Sequence, residues 1–138
     1  MISQAKEKYN ISVQETADGS HTLYVPDLNE SYHSGKGALQ ESQHVFIEKG
    51  LGLIDSGKAE ISVLEVGLGT GLNALLTILE AEKRRQVIWY CAIEPYPISL
   101  KEVTRLNYPD LFTEPEAKDL LQSIHTTSVN DWHQLSPY

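Results

Sequence analysis

One stretch, residues 61–73, constrains the fold of this chain more than any other. It reads ISVLEVGLGTGLN, and its first six residues are mostly β-branched or apolar, as in a strand buried in a parallel sheet. Three glycines then alternate with other residues, at Gly67, Gly69 and Gly71. A leucine stripe with helical spacing follows, at Leu72, Leu75, Leu76 and Leu79. The order strand, glycine turn, helix predicts an α/β fold with a nucleotide site at the turn.

The glycine spacing distinguishes between kinds of nucleotide site. A dinucleotide fingerprint, Gly-x-Gly-x-x-Gly, needs its third glycine where this chain has Leu72, and no Gly-Lys-Ser/Thr follows to make a P-loop. The pattern Gly67-x-Gly69-x-Gly71, with Glu65 two residues before it, instead resembles motif I of the Rossmann-like S-adenosylmethionine (SAM) methyltransferases. Glycine places no Cβ between backbone and ligand, so such a turn can lie against the cofactor. The amides that open the next helix can meet a carboxylate.

An acidic residue at the end of the next strand supports this interpretation. Residues 87–93 read VIWYCAI, which is typical of a buried strand, and Glu94 follows directly. Ligands of α/β sheets lie outside the carboxyl ends of adjacent strands, so Glu94 would be placed to accept both hydroxyls of a ribose. The alternative is a solvated acid at a strand end beside a purely structural glycine turn.

Length and composition are those of one soluble domain. The chain has 138 residues, of which 41% are hydrophobic and 22% charged. No apolar run is long enough to span a bilayer, and the amino terminus has no apolar signal core, so we predict a cytoplasmic protein with no membrane partner. The single cysteine, Cys91, falls inside a predicted strand, where we expect a buried thiol without a redox or metal role.

The charge balance gives no sign of a surface that grips nucleic acid. The formal net charge is −8, from 19 acidic residues against 11 lysines and arginines. The only basic cluster, Lys83, Arg84 and Arg85, falls in the last turn of a predicted helix, where cations complement the helix dipole. If the substrate is an RNA, this chain shows no basic patch with which to hold it.

The segment before the glycine turn predicts a hairpin, a loop and a helix. Residues 11–25 alternate on both sides of an Asp-Gly turn, and a polar loop leads into residues 38–49. That run fits a helix with one face formed by Ala38, Ser42, Val45 and Phe46, and a glycine, Gly50, supplies a left-handed stop. No cysteine or carboxylate set completes a ligand group around His33 and His44, so we predict satisfied or surface histidines and no metal site.

The carboxyl-terminal part predicts short helices and an incomplete sheet. Two capping boxes, Ser99 with Glu102 and Thr113 with Glu116, each predict a helix start. Only two strands have parallel-sheet character, whereas a doubly wound domain needs about five more. We expect exposed apolar surface at the open edge, because the chain is a fragment or because another chain covers it.

A longer set of residues is similar to one family. The series Tyr32-His33-Ser34-Gly35-Lys36-Gly37-Ala38-Leu39-Gln40-Glu41-Ser42-Gln43-His44-Val45-Phe46-Ile47, Leu64-Glu65-Val66-Gly67-Leu68-Gly69-Thr70-Gly71-Leu72-Asn73 and Ile93-Glu94-Pro95-Tyr96-Pro97 resembles the MnmC-type methyltransferase domain. In bifunctional members this domain methylates an aminomethyl group on the wobble uridine of certain tRNAs. The resemblance implies an incomplete Rossmann-like class I SAM methyltransferase fold, preceded by an N-terminal β-hairpin and helix. We therefore divide the chain into residues 1–58 and a first part of a SAM-binding domain, residues 59–138.

The resemblance also implies a set of cofactor-binding residues. These are Glu65, Gly67, Leu68, Gly69, Gly71, Asn73 and Glu94, with Tyr32, Ser34 and Glu41 as further candidates. It names no catalytic residue, because the family's substrate-side motif would lie beyond Tyr138. Methyl transfer to an amine depends on alignment of the two centres and on a nearby proton acceptor.

Two other functions remain open from the residues. The chain could be a non-catalytic binding or assembly module that keeps the front half of the fold and self-associates through its open sheet edge. It could also be a nucleotide-dependent oxidoreductase, although Leu72 at the third fingerprint position argues against a dinucleotide site.

Overall fold

The amino-terminal half begins with a small antiparallel sheet. The computed structural model describes residues 9–55 and 57–138. The predicted hairpin is confirmed, with β1 (Ser12–Glu15) antiparallel to β2 (His21–Val25). A third strand, β3 (Glu30–Ser31), adds to β2 within the segment predicted as a loop. Two exposed residues carry no alternation, so the sequence pattern could not indicate β3.

The helix after the loop has an unusual winding. It starts as α1 (Ala38–Glu41) and continues as a π-helical stretch, Ser42–Glu48. The wider turn changes which side chains face inward, so the predicted face is wrong at Val45, which is 60% exposed, and Ile47 is buried instead. The Lys49 amide accordingly bonds the carbonyl of His44, five residues back.

The predicted left-handed stop after this helix is also wrong. Gly50 has φ −110°, so its backbone is not left-handed. A Cβ on Gly50 would lie 2.5 Å from the carbonyl oxygen of Phe46. Glycine is therefore required by the close approach of two backbone segments. A single 3₁₀ turn, Leu51–Leu53, follows.

Side chains from the hairpin turn cap α1 from a distance. The first three amides of the helix, on Ala38, Leu39 and Gln40, donate in turn to Thr16 Oγ1, Ser20 Oγ and Asp18 Oδ2, at 3.0, 2.9 and 2.8 Å. These groups are among the helix donors that have no partner within the helix itself. The cap ties α1 to the antiparallel sheet.

The strand, helix and strand predicted around the glycine turn are confirmed. β4 (Glu60–Val66) and β5 (Val87–Ile93) pair in parallel, with Glu60 opposite Val87 and Val66 opposite Ile93. Between them α2 (Leu72–Arg84) buries Leu72, Leu75 and Leu76 almost completely.

The arginine that ends α2 has a structural role. The guanidinium of Arg84 donates to the carbonyls of Leu51 and Ile54 at 2.9 and 2.7 Å. Lys83 lies 3.7 Å from Glu80, and Arg85 takes a left-handed conformation at the helix end. The basic cluster therefore ends α2 and anchors the 3₁₀ turn.

Two short helices and a 3₁₀ turn complete the described chain. The capping box predicted at Ser99 and Glu102 is present and begins α3 (Leu100–Val103). A 3₁₀ turn, Tyr108–Leu111, precedes α4 (Ala117–Thr126). The second predicted capping box is wrong, because α4 has no side-chain cap and Thr113 instead donates to Glu114 at 3.2 Å.

One face of the parallel sheet is uncovered. Within residues 9–55 and 57–138 this sheet has two strands, and one side of it exposes Leu64, Val66 and Ile93 by 66, 81 and 55%. Cys91 lies on the same face and is exposed, so the predicted buried thiol is wrong. Exposed apolar surface is therefore present, on a face of the sheet, whereas the sequence predicted it at the open edge. The fold is a mixed α/β arrangement with a small parallel sheet.

Candidate functional site

The glycine turn joins β4 to α2 in a conformation that favours glycine. Gly67, Gly69 and Gly71 all have positive φ, of 87°, 55° and 77°. A Cβ on Gly67 would meet no atom within 4 Å, whereas one on Gly69 would lie 3.0 Å from the Tyr32 ring. A Cβ on Gly71 would lie 2.7 Å from His125 Nε2. Only Gly67 therefore presents bare backbone to open space, and the other two glycines allow close packing.

Glu94 faces the turn from the end of β5. Its Oε2 accepts a hydrogen bond from the Gly69 amide at 2.9 Å, and its Oε1 accepts one from the Tyr96 amide at 2.8 Å. The Gly67 amide donates to the carbonyl of Ile93 at 2.8 Å, which holds the two strand ends together. The carboxylate thus lies beside the turn, where sequence reasoning expected it.

Glu65 lies beneath the turn at the end of β4 and is 9% exposed. Asn73 Nδ2 donates to its Oε1 at 2.9 Å, and the Tyr90 hydroxyl donates to its Oε2 at 2.5 Å. Burial raises the pKa of the Glu65 carboxyl, and the two hydrogen bonds partly offset that rise. Glu65 therefore links α2, through Asn73, to β5, through Tyr90.

Asn73 leaves one buried acceptor without a partner. Its Oδ1 atom is inaccessible and makes no hydrogen bond with any described residue. A buried amide oxygen in this state is costly, which marks it as a place where a donor from a ligand or water would be stabilised. Asn73 also lines the cavity described next.

A cavity of about 460 Å³ lies over the turn, within the usual size for small-molecule sites. Eight of the ten residues proposed from the sequence line it: Tyr32, Glu41, Glu65, Gly67, Leu68, Gly69, Asn73 and Glu94. Ser34 and Gly71 lie outside its lining. Ser34 donates its amide to Glu41 Oε2 at 2.8 Å, and Gly71 packs against α4.

The cavity lining is acidic. It includes the carboxylates of Glu41, Glu65 and Glu94 and contains neither lysine nor arginine. The negative charge of these carboxylates would favour a bound cation over an anion, and the low dielectric of the cavity walls would strengthen that preference. Among the described residues no group of three His, Cys, Asp or Glu side chains could hold a metal ion.

Sequence reasoning did not select several residues that line the cavity: His33, Ser42, Val45, Phe46, Thr70 and Leu72. Thr70 is the most connected of these, since its hydroxyl bonds His33 Nε2 at 2.9 Å and the Tyr108 hydroxyl at 3.1 Å. Its position between two glycines was the one available signal. Tyr108 lies 38 residues further on, so no local pattern could reveal the contact.

Burial determines the protonation of the aromatic groups around Thr70. It lowers the pKa of His33 and of His125, although the nearby Glu41 and the Thr70 carbonyl respectively oppose the shift. Burial also raises the pKa of the Tyr108 hydroxyl. These groups are therefore neutral at physiological pH. His44 is exposed, and its Nδ1 lies 2.9 Å from Glu48 Oε2.

Curated proteins similar to this chain share one name. The chain is 35% identical over 116 residues to the tRNA 5-methylaminomethyl-2-thiouridine biosynthesis bifunctional protein MnmC of Polaromonas naphthalenivorans, covering 79% of this chain and 17% of that protein. It is 30% identical over 120 residues to the protein of the same name from Magnetococcus marinus, covering 83% and 18%. This chain thus spans about a sixth of the length of these relatives. No protein-family model matches it.

A solved structure supports the same relationship. The crystal structure of MNMC2 from Aquifex aeolicus superposes with a TM-score of 0.52 at 28% identity, covering 64% of this chain and 30% of that one. The names of the curated relatives and of this solved structure thus agree with the family resemblance seen in the sequence. This chain is therefore a relative of the MnmC proteins, similar to one segment of these much longer sequences.

Proposed function

We propose that this chain is the cofactor-binding part of a SAM-dependent N-methyltransferase. The observation that carries the proposal is the cavity over Gly67, where bare backbone at the end of β4 faces the Glu94 carboxylate at the end of β5. Ligands of α/β sheets lie at this place, outside the carboxyl ends of neighbouring strands. The cavity is lined mostly by residues that the methyltransferase resemblance selected.

The chemistry of the lining fits SAM. This cofactor carries a sulfonium and an ammonium, and the three carboxylates with no neighbouring lysine or arginine suit such a cation. The unpartnered Oδ1 of Asn73 offers an acceptor, and a Cβ at Gly67 would fill the open space. When bound, SAM supplies an electrophilic methyl group.

The residues that line the cavity have distinct parts in this proposal. Glu94 would bind the ribose hydroxyls, while its present bond to the Gly69 amide keeps the turn beside it. Gly67 and Leu68 would contact the cofactor along the backbone. Tyr32 and Glu41 would cover it from the loop and from α1. No residue of the chain is assigned as the group that accepts the amine proton.

The names of the relatives suggest the methyl acceptor. Those proteins take part in the biosynthesis of 5-methylaminomethyl-2-thiouridine in tRNA, so we propose the aminomethyl group of a modified wobble uridine as the acceptor. A neutral amine is a competent nucleophile for a methyl sulfonium once both are held in line. The tRNA itself would be held by other surfaces, since Arg84 is committed to carbonyls and the net charge is −8. We expect an enzyme that acts on tRNA to work in the cytoplasm. As a separate observation, no described helix is both long and apolar enough to cross a membrane.

Calorimetric titration of SAM tests the cofactor half of the proposal. We expect the wild-type chain to bind SAM, and Glu94→Ala to weaken binding at least tenfold, because about 1.5–3 kcal/mol is typical for a hydrogen bond to a charged group. Glu116→Ala is the matched control, since Glu116 is exposed and lies outside the cavity. Failure of the wild-type chain to bind SAM, with binding of a nicotinamide dinucleotide instead, would favour the oxidoreductase.

A non-catalytic assembly module is the second candidate, and the uncovered sheet face favours it. Leu64, Val66 and Ile93 form an apolar surface of a kind that rarely stays free in water. Sedimentation of the wild-type chain distinguishes the two. A SAM-binding monomer supports the methyltransferase, and a dimer without SAM affinity supports the assembly module.

A further inference from the structure

Thr70 joins three parts of the chain at the centre of the glycine turn. It is 1% exposed, and its hydroxyl oxygen lies 2.9 Å from His33 Nε2 and 3.1 Å from the Tyr108 hydroxyl. Its carbonyl oxygen lies 3.0 Å from His125 Nε2. The glycine turn is therefore held by residues of the loop after β3, of the 3₁₀ turn Tyr108–Leu111 and of α4.

The directions of these bonds define the state of His33. Tyr108 donates to Thr70 Oγ1, so the hydrogen of the Thr70 hydroxyl is available to His33. A buried hydroxyl hydrogen without an acceptor is costly, and His33 Nε2 is the nearby acceptor that satisfies it. We therefore assign His33 the tautomer with its proton on Nδ1, which leaves Nε2 as the acceptor. His125 must donate from Nε2, since a carbonyl only accepts.

The segment that contains His33 is itself anchored. The backbone amide of His33 donates to Thr22 Oγ1 in β2 at 3.0 Å. The neighbouring Tyr32 places its ring against Gly69. The loop therefore contacts the turn at two successive residues, and both of its contacting residues line the cavity. Any movement of His33 would be transmitted to Gly69 and Thr70.

We propose that His33 is a positioning residue that acts through Thr70 to hold the glycine turn in its cofactor-binding conformation. This inference rests on the proposed function for its link to SAM, and on geometry alone for its effect on the turn. His33 need not touch the reacting atoms. Its contribution is the accepted hydrogen bond, which Gln can replace and Leu cannot.

Acid should weaken this arrangement. Protonation turns Nε2 of His33 from an acceptor into a donor, so it can no longer accept the hydrogen of the Thr70 hydroxyl. The groups that face the histidine and the turn are Glu41 from α1, Tyr108 from the 3₁₀ turn, His125 from α4 and Glu94 from the end of β5. Because burial lowers the pKa of His33, the change falls below its ordinary value of 6.5.

Amide hydrogen exchange measured by NMR tests the effect on the turn directly. At neutral pH we expect His33→Leu to speed exchange of the Gly69 and Gly71 amides about fivefold, the loss of one net hydrogen bond. Thr70→Val should speed it at least as much, because it also removes the bond from Tyr108. The double variant should be no faster than Thr70→Val alone, because Thr70→Val already removes the bond to His33 together with the bond from Tyr108. His33→Gln and Thr70→Ser should match the wild-type chain. His44→Leu is the control, since His44 is exposed and bonds only Glu48 among described residues.

The same variants in the SAM titration separate this inference from the proposed function. Two results together support both: SAM binding that is weaker in His33→Leu and restored in His33→Gln, and SAM binding by the wild-type chain that weakens only at pH values below the ordinary histidine pKa value of 6.5. Faster exchange in a chain that never binds SAM would retain the positioning role and reject the cofactor. Unchanged exchange in His33→Leu, or additive effects in the double variant, would overturn the inference.

Discussion

Replacing Asp18 with asparagine tests how the hairpin supports the helix that lines the cavity. The Asp18 carboxylate accepts four hydrogen bonds, from the Thr16 hydroxyl, the amide and hydroxyl of Ser20, and the amide of Gln40. Burial alone would raise its pKa, but these bonds prevail and lower it to about 2. Asparagine keeps one acceptor and turns a donor toward the Gln40 amide.

The expected loss follows from the number and exposure of these bonds. Losing a helix cap costs about 1 kcal/mol, and hydrogen bonds to charged groups reach about 1.5–3 kcal/mol. Asp18 is exposed, so water screens its charge, and we expect the free energy of unfolding to fall by about 1–2 kcal/mol. The loss should lower the melting temperature by roughly 3–8 °C.

The pH dependence has a definite sign. The pKa of Asp18 is depressed in the folded state, so its contribution is present above the ordinary value of 3.8 and is lost as pH falls toward 2. Urea unfolding at several pH values measures this. The difference between wild type and Asp18→Asn should narrow as pH falls from 3.8 to about 2.

The matched control is Asp27→Asn, because Asp27 is also exposed and, within residues 9–55 and 57–138, accepts one hydrogen bond, from the Asn10 amide at 3.4 Å. We expect it to change stability by less than about 0.5 kcal/mol. If Asp18→Asn is no less stable than Asp27→Asn, or if the difference between them is constant with pH, the carboxylate does not cap α1 in the way described.

Three further predictions concern the turn, the buried carboxylate and the open face. Gly71→Ala should destabilise the fold by more than about 2 kcal/mol, because its Cβ would collide with His125. Gly67→Ala should cost only about 1 kcal/mol of backbone strain and should mainly weaken SAM binding. Equal melting temperatures for the two variants would contradict this prediction. Tyr90→Phe should lower the free energy of unfolding by about 1–2 kcal/mol, because it removes a bond to buried Glu65. In the wild-type chain the pKa of the Glu65 carboxyl is raised in the folded state, so the contribution of Glu65 to the free energy of unfolding should decline as pH rises above 4.5. A denaturation series in which this contribution increases with pH would refute the prediction. Val66→Lys should leave the melting temperature within a few degrees and reduce binding of an apolar dye, and a large loss of stability would show that the face is covered.

The features that sequence reasoning recovered are those determined by local patterns. The alternation around the Asp-Gly turn, the glycine spacing and the leucine stripe each define backbone hydrogen bonding within a few residues, so the hairpin, the turn and α2 (Leu72–Arg84) were predictable. Its errors arose where the backbone departs from the regular period. The π-helical winding after Glu41 exposes Val45, and no hydrophobic pattern signals such a change.

Site residues show the same division. A glycine turn between two predicted strands was sufficient to predict a site bounded by Gly67 and Glu94, because the carboxyl ends of parallel strands meet at one edge of the sheet. Which cavity residues make contact depends on packing between distant elements. The exposure of Cys91 likewise depends on what covers the sheet, and a strand pattern cannot show that.

The amino-acid sequence by itself therefore determined the strand, glycine turn and helix, and with them the edge of the sheet at which we propose a ligand site. Tertiary structure decided how that turn is held: Tyr32 covers Gly69, and His33 with Tyr108 meets Thr70 across 37 and 38 residues of chain. The physical reason is range. Glycine spacing acts through dihedral angles of adjacent residues, whereas the hydrogen bonds to Thr70 exist only after separate elements have packed together.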